Sequence, residues 1–150
     1  MAYEFLIDDL AKKNSKKAIG TDKGLAKIGD GIVNLAYSIA KSIFITKNNK
    51  NNAIVRTGRK VSKDILSNAL KKAGLKECAK NRADAHDMAD TVEAIVAYAW
   101  LKNEIGLQEI INVLTETLSG DLFDRREEIE GATGAFTELL NKIKNYLPEN

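Results

Sequence analysis

The near absence of proline is the strongest constraint on this fold, since the only proline among the 150 residues is Pro148. Proline lacks a backbone donor and breaks helix interiors, so the chain before Pro148 is free to be helical throughout. No segment alternates apolar and polar residues as a half-buried strand would, whereas apolar residues recur at helical spacing. One such set is Leu25, Ile28, Ile32, Leu35, Ile39 and Ile43. The sequence therefore predicts an all-α protein.

Length, charge and cysteine content exclude several classes of protein. A chain of 150 residues has the size of one domain with a single hydrophobic core. Its 23 basic and 21 acidic residues leave a net charge of +2, which excludes a histone-like tail and an acidic activation segment. A single cysteine, Cys78, excludes an intrachain disulfide framework and a cysteine cluster for zinc.

The sequence carries no signal for export or membrane insertion. Glu4, Asp8 and Asp9 would not be tolerated in a secretory signal peptide. The longest uncharged apolar run, Ala94–Leu101, is far shorter than the ~20 residues that span a bilayer. We therefore expect a cytoplasmic protein that does not cross a membrane.

Capping residues, helix stops and apolar spacing divide the chain into helices. The pattern predicts five main ones, at Lys23–Thr46, Ser62–Gly74, Asp84–Asn103, Gly106–Leu118 and Ala135–Leu147. The polar run Lys47–Asn52 is predicted to be an exposed loop. The acidic segment Asp121–Glu130, which Arg125 and Arg126 interrupt, is predicted to be a solvated face between the last two helices.

Carboxylates interrupt two of the apolar helices. Asp30 is the only acid in the first of them, and Asp90 and Glu93 are the only charges in Met88–Leu101. Asp90 and Glu93 are three residues apart, so they share one helix face. Because this second helix is apolar on every side, we expect it to be buried. A buried carboxylate is costly unless a cation or a raised pKa neutralises it.

Two explanations fit these acids. Since no lysine or arginine lies between Ala83 and Leu101, one is a divalent cation such as Mg²⁺, which prefers hard carboxylate oxygens. The other is that the acids cap a neighbouring helix or pair with a lysine that the fold brings in. Gly29 and Gly31 favour the close approach of a ligand or a backbone, because a glycine inside a helix costs roughly 1 kcal/mol.

Three segments resemble the endonuclease domain of the ribonuclease III family. Leu25–Leu35, with Gly-Asp at its centre, is similar to the signature helix, and Val61–Leu75 to the connecting helix. Ala89–Ala94, which reads Ala-Asp-Thr-Val-Glu-Ala, resembles the second motif. The resemblance covers about residues 23–101 and is to a short form without a double-stranded-RNA-binding domain, like the mini-ribonuclease III branch or an archaeal-type relative. Residues 121–150 are expected to form a C-terminal helical extension of one domain, residues 1–150.

The resemblance implies a ribonuclease III helical bundle, a homodimer and a divalent-metal endonuclease that cuts double-stranded or structured RNA. It implies that Asp30 and Glu93 hold Mg²⁺, with Mn²⁺ as an alternative ion, and that Asp90 binds directly or through water. These three are then the catalytic residues, and the products carry 5′-phosphate and 3′-hydroxyl ends. Asn34 and Asp87 lie one turn from the acids, where they either support the metal site or make ordinary helix contacts.

The sequence departs from the family at one position of the first motif. Most members have a glutamate four residues before the aspartate, where this chain has Ala26, with Lys27 beside it. The short branch also has an alanine and remains a nuclease, but Ala26 and Lys27 leave open a degenerate relative that binds RNA without cutting it. We predict that His86 is a surface or capping residue.

Two further classes of enzyme are weaker alternatives. An all-α nucleotide pyrophosphohydrolase also gathers acids around Mg²⁺, but the Glu-x-x-Glu and Glu-x-x-Asp spacing of that class is missing. A metal-free helical ribonuclease would depend on Arg82 and His86, the one plausible pair of such residues, and nothing else in the sequence supports it.

The region after the first motif is basic. From Gly31 through Lys63 there are seven basic residues and no acid. Phosphate backbones bind such clusters, and double-stranded RNA is recognised mainly through phosphates and 2′-hydroxyls. Lys41 is one of the seven, and we predict RNA contacts from the other six, Lys47, Lys50, Arg56, Arg59, Lys60 and Lys63. The alternative is a solvated loop whose lysines keep the protein soluble.

Overall fold

The computed structural model describes residues 3–13, 15–51 and 53–150, with the backbone alone for residues 11–13. These residues form α-helices and short 3₁₀ turns without any strand, so the all-α prediction is confirmed. The helices are α1 (Asp8–Lys13), α2 (Lys16–Gly20), α3 (Lys23–Lys47), α4 (Lys63–Lys72), α5 (Ala85–Leu101), α6 (Leu107–Thr117) and α7 (Arg125–Ile143). The 3₁₀ turns are Glu4–Ile7, Lys76–Cys78 and Lys144–Tyr146.

Side-chain caps explain where the long helices begin. The Asp22 carboxylate accepts a hydrogen bond from the Leu25 N–H at 2.8 Å, which starts α3. At the start of α5, Asp84 and Asp87 each accept a hydrogen bond from the other's backbone N–H. The predicted ends of α3 to α6 are confirmed to within two residues. The predicted loop at Lys47–Asn52 begins where α3 ends, and its last residue lies outside the described residues.

The central element of the bundle is α5. Its residues from Met88 to Ala99 are buried except for Asp90, as the apolar pattern predicts. Helices α3 and α4 pack against α5, α6 packs against α3, and α7 packs against α4 and α6. The acids at Asp90 and Glu93 therefore lie on the most enclosed helix, and α3 lies directly beside them.

The prediction for the C-terminal segment is wrong in one respect. Helix α7 begins at Arg125, ten residues before the predicted start at Ala135. Asp124 caps it, because its carboxylate accepts hydrogen bonds from the N–H groups of Arg126 and Glu127. Much of the segment predicted as a solvated face therefore belongs to a helix that packs on the bundle.

A buried ion pair joins α7 to α3. Glu128 is 2% exposed, and the Tyr37 hydroxyl and the Lys41 ammonium both donate hydrogen bonds to its Oε2 at 2.7 Å. The prediction of a solvated face is therefore wrong for Glu128. It also follows that Lys41, one of the seven basic residues of the predicted footprint, is not available to RNA.

The outer face of α3 carries an apolar stripe. Ile28, Leu35 and Ile39 are 38%, 50% and 37% exposed, and Ile32 is partly buried between them. Three of the six apolar residues whose spacing predicts this helix thus lie on its outer side, whereas Leu25 and also Tyr37 lie in the core. Among the described residues, α3 is the one helix long and apolar enough to cross a membrane, a property that core helices of globular proteins share.

Candidate active site

The candidate site lies where the backbones of α3 and α5 come together. A Cβ atom added at Gly29 would lie 1.8 Å from the carbonyl oxygen of Glu93, so only glycine fits there. This contact places the neighbouring Asp30 beside α5. The predicted close approach of a backbone is confirmed for Gly29, whereas an added Cβ at Gly31 would meet nothing of this chain within 4 Å.

Asp30 and Glu93 form a pair of hydrogen-bonded carboxyl groups. Glu93 is almost fully buried, since the residue is 8% exposed. Burial, the hydrogen bond to Asp30 and the negative charges of Asp30 and Asp90 raise the pKa of Glu93 to about 8. At neutral pH Glu93 therefore keeps its proton.

Asp90 lines the same cavity but pairs with a lysine. The Lys23 ammonium donates a hydrogen bond to Asp90 Oδ2 at 3.0 Å, and this bond with the charge of Asp90 raises the pKa of Lys23. The alternative in which the fold supplies a lysine thus applies to Asp90. Among the described residues no lysine or arginine forms an ion pair with Asp30 or Glu93, although the nearby charge of Lys60 acts to lower the pKa of Glu93.

The residues present fit a magnesium ion that has few protein ligands. In the described part of the chain, no three His, Cys, Asp or Glu side chains are grouped to hold one ion. Asp30 and Glu93 nevertheless offer adjacent carboxyl oxygens, and a cation can replace the proton that Glu93 holds at neutral pH. Mg²⁺ is commonly bound by one or two carboxylates, with waters and substrate phosphates as its other ligands.

The two predicted supporting residues have different surroundings. The Asn34 amide donates to Asp30 Oδ1 at 3.1 Å, and its oxygen accepts from the Val61 N–H at 2.8 Å. Asn34 therefore orients Asp30 and ties the segment before α4 to α3. Asp87 does not line the cavity of the acids. The backbone hydrogen bond at Asp84 and the nearby Lys80 lower the pKa of Asp87, which serves as part of the α5 cap.

The acids lie in a solvent-open cavity of about 740 Å³. Among the described residues, three carboxyl groups line it, from Asp30, Asp90 and Glu93. Six basic side chains of the described residues also line it, and these are Lys23, Lys27, Arg59, Lys60, Lys63 and Arg125. Basic residues therefore outnumber acidic ones, so the cavity suits a phosphate group bound together with a metal cation.

The residues predicted to contact RNA divide into two groups. Arg59, Lys60 and Lys63 line the cavity of the acids, and Lys47, Lys50 and Arg56 do not. Lys50 lines a second cavity, beside Phe44 and Phe123. All six side chains are exposed, so each is accessible to a ligand in solution.

Hydroxyl groups of α3 hold the basic segment 53–62 along that helix. The Ser42 hydroxyl donates to the Thr57 carbonyl at 2.8 Å and accepts from the Thr57 N–H at 2.9 Å. The Ser38 hydroxyl accepts from the Arg59 N–H at 3.3 Å. These contacts fix the backbone beside the cavity, so the cationic side chains project from an anchored segment.

Three residues that line the cavity were not predicted from the sequence to contact a ligand. The sequence pattern predicts only a helix start at Lys23 and a solvated segment at Arg125. His86, predicted as a surface or capping residue, is exposed and lines the cavity. No local signal marks Arg125, because it reaches the cavity only through the packing of α7 on the bundle.

A protein-family model described as ribonuclease III matches residues 23–148. The match begins at the first residue of α3 and extends through α6 and α7, past the motifs within residues 23–101. No curated protein sequence matches this chain at a significant level.

Proposed function

We propose that this chain, which belongs to the ribonuclease III family, is a divalent-metal-dependent endoribonuclease. The family supports a ribonuclease-type function, and we infer that double-stranded or structured RNA is cut to 5′-phosphate and 3′-hydroxyl ends. The observation that carries this proposal is the Asp30–Glu93 carboxyl pair inside a cavity with basic walls. We further infer a cytoplasmic protein that does not cross a membrane.

In this proposal Asp30 and Glu93 are the residues that hold Mg²⁺ or Mn²⁺. The Asn34 amide orients the Asp30 carboxylate through its hydrogen bond at 3.1 Å. When bound, a divalent cation activates water and neutralises negative charge that develops on the phosphate. Asp90 would bind the metal ion directly or through water. In the metal-free protein, the Lys23 ammonium donates a hydrogen bond to the Asp90 carboxylate.

In this proposal the basic side chains that line the cavity bind the phosphates of the RNA backbone. Arg59, Lys60 and Lys63 lie beside the acids, so they can bind phosphates next to the one that is cut. Lys47, Lys50 and Arg56 are exposed outside this cavity, and we infer that they contact a longer duplex. Recognition through phosphates agrees with the way double-stranded RNA is generally bound.

A degenerate relative that binds RNA without cutting it is the second candidate function. Ala26 is buried and lines the cavity where the resemblance leads us to expect another carboxylate. Lys27 lines it as well, and Lys23 neutralises Asp90. These three residues favour binding alone, whereas the Asp30–Glu93 pair favours a metal and cleavage. A nucleotide pyrophosphohydrolase remains the weakest candidate, since its acidic motifs are missing from the sequence.

Cleavage of a long RNA duplex is the direct test. We expect wild-type protein to cut the duplex with Mg²⁺ and to lose this activity in EDTA. Asp30→Asn should reduce the rate by about 100-fold or more, because it removes charge from the carboxyl pair. Asp9→Asn, which changes an exposed aspartate outside the cavity, is the matched control and should cut normally.

Two results would contradict the proposal in different ways. If wild-type protein binds the duplex but never cuts it with Mg²⁺ or Mn²⁺, the degenerate relative is the better description. If Asp30→Asn cuts as fast as wild type, cleavage occurs elsewhere and the assignment of this site is wrong.

We infer that the protein is a homodimer that covers the outer stripe of α3. Members of the family generally form dimers, and two copies of one apolar stripe can cover each other about a two-fold axis. Ile28, Ile32, Leu35 and Ile39 supply this stripe. A lipid bilayer is a less suitable partner for this stripe than a second copy of the chain. Asp30 lies on the same turn of α3, and the cavity that it lines must admit RNA and water.

Leu35→Glu should convert the dimer into a monomer. Leu35 is 50% exposed in the single chain, and pairing two copies would bury two carboxylates side by side. Sedimentation equilibrium at micromolar concentration measures the change. Ile54→Glu is the matched control, since Ile54 is 69% exposed and lies outside the stripe. A wild-type monomer, or a Leu35→Glu dimer, would exclude this interface.

A further inference from the structure

Arg125, the first residue of α7, lies in the cavity of the acids although it is remote from both motifs in the sequence. We propose that Arg125 binds a backbone phosphate of the RNA in this cavity and that Glu128 positions it. The inference rests on the proposed function and adds a phosphate-binding residue from the C-terminal helix to the active site.

Glu128 is held rigidly enough to orient an arginine. Its Oε2 accepts hydrogen bonds from the Tyr37 hydroxyl and the Lys41 ammonium, both at 2.7 Å. Its Oε1 accepts from Arg125 Nη1 at 3.1 Å, one helical turn away. Burial alone would raise the pKa of Glu128, but the hydrogen bonds from Lys41 and Tyr37 outweigh it and lower the pKa. The carboxylate is therefore charged when it holds Arg125.

In the described part of the chain, two cations of this cluster share one anion. The Glu128 carboxylate forms an ion pair with both Lys41 and Arg125. The side chain of Lys41 is 8% exposed, so its charge is satisfied inside the bundle, whereas the side chain of Arg125 is 40% exposed. The surplus positive charge therefore lies at the surface of the cavity, where an anion can meet it.

The chemistry of the guanidinium group identifies that anion as a phosphate. A guanidinium has five N–H donors in one plane, and Glu128 receives a single hydrogen bond from it. The remaining donors suit the oxygens of a phosphate, which arginine commonly binds through two parallel bonds. Arg59 and Lys60 line the same cavity, so a backbone phosphate near the acids would meet several cations.

The test compares two adjacent arginines. Arg125→Gln removes the cavity residue, and Arg126→Gln removes an exposed arginine that does not line the cavity, so both variants lose one positive charge. Binding of a fluorescent RNA duplex in EDTA is measured by anisotropy over a range of salt concentrations. We expect Arg125→Gln to lower the slope of log Kd against log salt by about 1, with little change in Arg126→Gln.

Cleavage gives a second readout that a purely structural role would not produce. We expect kcat/KM to fall roughly 10- to 100-fold in Arg125→Gln and to stay near wild type in Arg126→Gln. Arg125→Lys keeps the charge, so it should retain the salt slope but not the full rate, since lysine lacks the planar donors. Thermal unfolding of each variant shows that it is folded.

Each outcome decides one of the two proposals. If Arg125→Gln matches Arg126→Gln in salt slope and in kcat/KM, Arg125 does not bind phosphate, while the endonuclease proposal stands. If wild-type protein binds the duplex but fails to cut it with any divalent metal, the endonuclease proposal fails. The salt slope then still decides whether Arg125 binds phosphate. Wild-type protein that does not bind the duplex would overturn both.

Discussion

Glutamine in place of Glu93 should make the metal-free protein more stable at alkaline pH and at the same time abolish cleavage. Glu93 is 8% exposed, and burial with its hydrogen bond to Asp30 raises its pKa to about 8. A glutamine amide can still donate a hydrogen bond to Asp30, as the protonated glutamic acid does. It carries no charge at any pH, so it cannot replace a carboxylate that holds a metal ion.

The sign of the pH effect follows from the two states of Glu93. In the unfolded chain its pKa is near the ordinary 4.5, and in the folded protein it is about 8. Between these values the folded protein binds a proton that the unfolded chain has lost, so wild-type stability falls as the pH rises. The stabilities of wild type and Glu93→Gln should therefore agree below pH 4.5 and differ by roughly 3 to 5 kcal/mol above pH 8.

Urea unfolding in EDTA at a series of pH values measures this difference. Glu130→Gln is the matched control, because it changes an exposed glutamate that does not line the cavity. Saturating Mg²⁺ should then stabilise wild type and leave Glu93→Gln unchanged, since ligand binding to the folded state shifts unfolding. Parallel stability curves for wild type and Glu93→Gln from pH 5 to pH 9 would show that Glu93 ionises without penalty.

Local signals were sufficient to predict helices α3 to α6 and the common helix face of Asp90 and Glu93. The N-cap at Asp22 and the spacing of apolar residues depend on neighbours within a few turns, so sequence patterns report them directly. The same holds for the shared face of Asp90 and Glu93. What placed Asp30 against Glu93 in advance was the resemblance to a family, and Gly29 supplied a physical reason for the contact.

Contacts between distant parts of the chain could not be predicted in this way. Charged residues are usually exposed, and only the position of α7 in the folded bundle shows that Glu128 is buried with Lys41, 87 residues away. Lys23 reaches Asp90 across 67 residues for the same reason. The apolar spacing of α3 does not show which of its large residues are buried, since Ile28, Leu35 and Ile39 are exposed whereas Leu25 and Tyr37 lie in the core.

Alanine at Gly29 should destabilise the protein severely, whereas alanine at Gly31 should stabilise it slightly. At Gly29 the new Cβ would lie 1.8 Å from the Glu93 carbonyl oxygen, and no side-chain rotation relieves a contact with backbone. We expect a loss of roughly 3 kcal/mol or more in the free energy of unfolding. At Gly31 nothing lies within 4 Å, so the better helix propensity of alanine should contribute about 0.5 to 1 kcal/mol.

Thermal and urea unfolding of the two variants measure this contrast. Gly134→Ala is a second control outside α3, since an added Cβ there also meets nothing within 4 Å. If Gly29→Ala unfolds at the same midpoint temperature as wild type, the prediction is wrong, because α3 and α5 can then move apart without loss of stability. If Gly29→Ala folds at all, the helices must separate, and this moves Asp30 away from Glu93. Cleavage should then fall together with stability, because the contact that joins the two helices also brings the two carboxyl groups together.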